Sequence, residues 1–125
     1  MFGKFLSKYL EFKKISIYDF ADRLGISCDE INAILDNEIK LSDELIFNIV
    51  FLTKIDIYFI YFLSDKTKFY SPLKLKYKDD NSLLSFLNEF YIKILNSYNF
   101  NNKDIDIVTI RNIEEFENAI YSLFI

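Results

Sequence analysis

Acid–base and nucleophilic chemistry has little to work with in this chain. None of its 125 residues is histidine, and its single cysteine, Cys28, has no second thiol to join. Histidine-based general catalysis, Ser-His and Cys-His nucleophiles, and histidine or thiolate metal sites are therefore excluded, as is an internal disulfide. The other groups with metal or proton chemistry are carboxylates, Asp104 with Asp106 and the cluster Glu114, Glu115 and Glu117. No glycine-kinked loop of EF-hand pattern accompanies them, so they read as solvated surface. The chain is expected to be no enzyme and to hold no cofactor or metal. Chemistry here means binding, through the polar side chains that helices leave exposed.

Composition says which helices. Hydrophobic residues are 51% of the chain and charged residues 27%, the balance of an ordered globular protein. Fourteen Phe and nine Tyr supply core material, while two Gly and one Pro leave few tight turns, which favours helix over a many-stranded fold. The net charge is −4 and neither half is basic. Lys4, Lys8 and Glu11 interrupt any signal-peptide core, so the cytoplasm is the expected location. The apolar run Leu45 to Leu63 approaches the length of a membrane span. Lys54 and Asp56 near its middle would each cost about 3 kcal/mol in a bilayer. The run reads as two short buried helices, with no membrane partner.

Five helices are legible between residues 2 and 64. Phe2, Phe5, Leu6, Tyr9 and Leu10 recur at three- and four-residue spacing, a helix over residues 2–14. Ser16 with Asp19 and Ser27 with Glu30 stand three apart, as capping pairs do, and open the second and third helices. Gly25 ends the second, the residue type a left-handed helix exit prefers. Ser42 starts a fourth helix to about Thr53, and Asp56 a fifth to about Leu63. The turn Leu24-Gly25-Ile26-Ser27 is too short for antiparallel packing, so the second and third helices must cross steeply, as in a helix-turn-helix.

The ordered set Ser16, Phe20-Ala21, Leu24-Gly25-Ile26-Ser27, Ile31, then Ser42-Asp43-Glu44-Leu45 and the two helices that follow resembles the phage-repressor/Cro-type (XRE family) helix-turn-helix over residues 2–64. The resemblance implies double-stranded DNA as partner, read by the third helix. It places Ser16, Ser27, Cys28, Asp29, Asn32, Asn37 and Lys40 at the DNA, with Lys8, Lys13 and Lys14 as phosphate contacts. Among these Asn32 is the good base reader, since an amide pairs two edge atoms of adenine. Ile17 stands where the family has a polar phosphate brace, and Cys28, Asp29 and Ala33 stand where it has donors. Cys28 reads as a small, inert side chain. Asp29 and Glu30 suit the first turn of a helix through its dipole.

Residues 65–125 read as a second unit, a strand-helix-strand-helix, which makes the whole mainly α with an α+β second part. Leu73, Leu75 and Tyr77 alternate with Lys74, Lys76 and Lys78, the period of a half-exposed strand, and Pro72 marks its start or an edge. Asp79-Asp80-Asn81 forms a turn and cap, followed by a helix from about Ser82 to Tyr98. Ile105 to Ile110 alternates as a short strand, and Asn112 with Glu115 caps a last helix. Two strands alone are marginal, and Phe47 and Phe51 give the fourth helix a second apolar face, so the second unit is expected to pack on the first, to pair with a second subunit, or both. Phe116, Ile120, Leu123 and Phe124 form an apolar stripe suited to a two-fold interface.

The expectation from sequence is a DNA-binding transcriptional regulator acting as a homodimer on a pseudo-palindromic operator. The alternative is a phage or mobile-element protein that keeps the helix-turn-helix fold to bind and inhibit a host protein.

Overall fold

The computed structural model describes residues 1–98 and 109–124, and every regular element among them is a helix. In order these are α1 (Phe2–Lys13), α2 (Ile17–Leu24), α3 (Cys28–Leu35), α4 (Asp43–Thr53), α5 (Ile57–Ser64), α6 (Lys66–Lys76), α7 (Asp80–Ser97) and α8 (Ile113–Ser122). The chain divides into two compact units, Met1–Tyr70 and Ser71–Ile125.

In the first unit the helices start where a short side chain can close the open backbone amides. The Ser16, Ser27 and Ser42 hydroxyls accept from the amides of Asp19, Glu30 and Leu45 at 3.0–3.1 Å. One Asp56 carboxylate oxygen accepts from both Tyr58 and Phe59. Each such cap is worth about 1 kcal/mol. Helix ends are as well defined. Lys14, Gly25 and Lys54 all turn left-handed, at φ 57°, 72° and 61°, and after α1 and α2 the next amide reaches back to Leu10 and Ala21, closing the last carbonyls.

The apolar faces so aligned meet in one core. α1 packs on α3 and α5, α2 on α3 and α4, and α4 on α5. Phe5 meets Phe59 edge-on, with ring centres 4.9 Å apart. Leu6, Ile31, Ile49, Phe59 and Ile60 are wholly buried; each such side chain contributes roughly 1.5–3 kcal/mol. The Tyr9 hydroxyl donates to the Thr53 carbonyl at 3.0 Å, tying α1 to the end of α4.

In the second unit α7 turns Leu83, Leu87, Phe90, Tyr91 and Ile94 inward against Phe116, Ala119 and Ile120 of α8. Asn88 fixes the approach to α8. Its amide donates to the carbonyls of Leu84 and Ile110 at 2.9 Å, and its oxygen accepts from the Ile110 amide at 2.8 Å. Asp79 caps α7 through the Ser82 amide and hydroxyl.

One expectation from sequence is corrected. The strand-helix-strand-helix reading of residues 65–125 fails, because residues 73–76 belong to α6 and no strand occurs among the described residues. Leu73, Leu75 and Tyr77 satisfy a period of two, but Phe69, Leu73 and Tyr77 also satisfy a period of four. The helical set wins. Phe69 and Leu73 are buried, Phe69 against the edge of Phe62 at 5.3 Å, while Leu75 is 76% exposed. The lysines Lys74, Lys76 and Lys78 therefore edge no sheet. Of the second expected strand, residues 105–108 lie outside the described residues, and Thr109 and Ile110 are irregular. Phe47 and Phe51 of α4 are exposed in the single chain, at 55% and 73%.

Candidate nucleic-acid interface

The candidate surface is built on α2, the three-residue turn Gly25-Ile26-Ser27 and α3. Packing decides which side chains it offers. Phe20, Ala21 and Leu24 of α2 and Ile31 and Ile34 of α3 are buried, which turns the complementary positions outward. Ser27, Cys28, Asp29, Glu30, Asn32 and Asp36 are exposed and Ala33 is half-buried. The first turn of α2 adds Ser16 and Tyr18, and the segment after α3 adds Asn37, Glu38 and Lys40.

These residues are not equally available. Asn32 is exposed and without an intramolecular partner among the described residues, an amide free to read a hydrogen-bonding edge. Ser16 and Ser27 have their oxygens committed to capping, although each hydroxyl proton remains a donor. Cys28 is a free, exposed thiol.

Asn37 has a different task from the one the resemblance gives it. It sits left-handed at φ 56°, and its side-chain oxygen accepts from the Gly3 amide at 3.0 Å and from the Met1 ammonium at 3.2 Å. It ties the start of α1 to the end of α3.

None of the basic residues lies on α3 itself. Lys13 and Lys14 are exposed at the end of α1, and Lys8 is half-buried in its middle. Lys13 lies 5.9 Å above the Tyr9 ring. Lys40 is 80% exposed and 3.8 Å from an Asp65 carboxylate oxygen, a separation at which an exposed pair is worth little. Across residues 16–40 only Arg23 and Lys40 are basic, against Asp19, Asp22, Asp29, Glu30, Asp36 and Glu38.

Sequence reasoning passed over Tyr18. It is 66% exposed on the first turn of α2, next to Ile17, and its phenol is a donor of the kind that contacts phosphates. The helical repeat that buries Phe20, Ala21 and Leu24 already turns position 18 outward.

A cavity of about 130 Å³ opens beside the end of α3, with Phe2, Ile34, Asn37, Ile39 and Leu41 among its walls, well below the volume a small-molecule site needs. Asp104 and Asp106 lie outside the described residues. Glu115 uses one carboxylate oxygen to accept from the Arg111 amide. The expected interface residues Phe116, Ile120, Leu123 and Phe124 are each at most 2% exposed in the single chain. No described helix is long and apolar enough to cross a membrane. Comparison with family models, curated proteins and solved structures finds no match.

Proposed function

We propose that this chain is a DNA-binding transcriptional regulator whose α3 enters the major groove. One observation carries the reading: two capped eight-residue helices join through a left-handed Gly25, and the second presents Cys28, Asp29, Glu30 and Asn32 to solvent. A rod of this exposure fits a groove about 12 Å wide, and an amide in its middle reads adenine. Lys13, Lys14, Arg23 and Lys40 supply the phosphate term. A homodimer would place two such helices about 34 Å apart on a pseudo-palindrome.

The experiment is selection of bound duplexes from a random pool at low salt, followed by anisotropy titration of the recovered sequence. The regulator reading expects a pseudo-palindromic site, relaxed by Asn32→Ala. It also expects a log–log salt slope of about −7, set by four basic side chains in each of the two protomers.

The charge of the same face favours a second reading. Asp29 and Glu30 on α3 and Asp36 just past its end would meet a polyanion, and carboxylates repel phosphates where cations attract them. The helix-turn-helix then serves as an acidic dock for a basic protein, as an inhibitor carried by a phage or mobile element would use it. A chain that retains no duplex at low salt is this second kind.

A further inference from the structure

The outer face of α4 carries a pattern that is its own complement. At about 100° per residue, Glu44, Phe47 and Phe51 fall within roughly 60° of one another, opposite the buried Ile46 and Ile49. Lys54, just past the helix end, joins the same face, with its ammonium 4.9 Å above the Phe51 ring. Phe47 and Phe51 lie two residues on either side of Ile49, and Glu44 and Lys54 lie five residues on either side. A two-fold axis at the level of Ile49 therefore sets each Phe47 beside a Phe51 and each Glu44 level with a Lys54. At 1.5 Å per residue the charged ends stand about 7.5 Å from the axis.

We infer that a second copy of this chain covers this face, with the two α4 helices antiparallel. Three observations favour this occupant. Phe47 and Phe51 are the residues of α4 that most need cover. The opposite charges stand at the ends where only a reversed copy of the same helix would pair them. Glu44 has no ion pair among the described residues, whereas its neighbour Asp43 is already held by Lys68 at 2.6 Å. An isologous interface needs this self-complementarity. The pairing deepens the regulator reading, whose homodimer it supplies with a surface, but its geometry does not depend on DNA. The apolar stripe is short, so the dimer forms in the micromolar range.

The test is sedimentation equilibrium of the intact chain at several tens of micromolar, with circular dichroism to show that each variant is folded. The wild type is expected to dimerise and Phe51→Asp to be monomeric. Glu44→Lys and Lys54→Glu each set like charges together at both ends and weaken the dimer about tenfold. When the two charge variants are mixed, both ends pair again and a heterodimer returns to wild-type affinity. A monomeric wild type would overturn the inference, including the case in which the chain's own second unit covers the face. A dimer indifferent to Phe51→Asp and to the charge exchange would also overturn it. A dimer that behaves as expected but retains no duplex leaves this interface standing and removes the regulator reading instead.

Discussion

Gly3 lies directly against the backbone of Leu35. A β-carbon at position 3 would collide with the Leu35 carbonyl and stand 2.7 Å from the Ile34 carbonyl oxygen. The same glycine donates its amide to the Asn37 side-chain oxygen, so at this position α1 meets the end of α3 with no side chain of its own between them. Gly3→Ala has only backbone to push against and is expected to destabilise the first unit by about 1–3 kcal/mol, the usual cost of overpacking. Urea denaturation of the variant checks this. Unchanged stability would mean that α1 is held elsewhere.

Asn88 predicts a comparable loss in the second unit. Asn88→Leu keeps the volume but leaves the buried Ile110 with an unpaired amide and carbonyl, each costing roughly 1–3 kcal/mol. Hydrogen exchange at the Ile110 amide should accelerate more than at α5. Equal protection in variant and wild type would show that water or another group replaces the asparagine.

Acid should loosen α7 from its start. The hydrogen bond from the Ser82 hydroxyl, then that from its amide, holds the Asp79 carboxyl below its ordinary value of 3.8. A carboxyl lowered in this way stabilises the folded state above 3.8, and the contribution fades as the pH falls through the lowered value. Asp79→Asn keeps an acceptor and cannot titrate, so it should be the less stable protein at neutral pH. The gap to wild type should close in acid. Thermal unfolding followed from pH 7 downward reads the gap, and a constant difference would refute the role of charge.

Asp29 predicts the sign of the electrostatic term on α3. In the regulator reading Asp29→Lys removes a repulsion and adds a phosphate contact. Affinity for any duplex should rise at low salt, and the salt slope should steepen by about 1 to 2. In the protein-binding reading the same change weakens the complex. Anisotropy titrations at two salt concentrations separate the two.

What the sequence made legible follows the range of the interactions. Ser16, Ser27, Ser42 and Asp56 act on amides two or three residues away, so the starts of α2, α3, α4 and α5 are written locally. Leu73 and Tyr77 were ambiguous because two periods fit the same few residues, and the deciding partner, Phe62, lies in another helix. The exposed side of α3 follows from its buried side. The task of Asn37 does not, since its partners stand 34 and 36 residues away. The stripe Phe116, Ile120, Leu123 and Phe124 was legible as apolar, but apolarity does not say whether the cover comes from the same chain.

The left-handed step that ends α2 has a consequence in terms of chirality. An added β-carbon at Gly25 would meet nothing within 4 Å, so the position has room for a side chain and lacks only the right hand. L-alanine there would oppose the backbone by roughly 1–2 kcal/mol. Its mirror image, D-alanine, prefers positive φ and would fit. It would also narrow the unfolded ensemble, stabilising the unit by about 0.4–1 kcal/mol. The turn before the candidate reading helix therefore constrains handedness and leaves volume free, a distinction that chemical synthesis of the domain with a single inverted stereocentre makes directly visible.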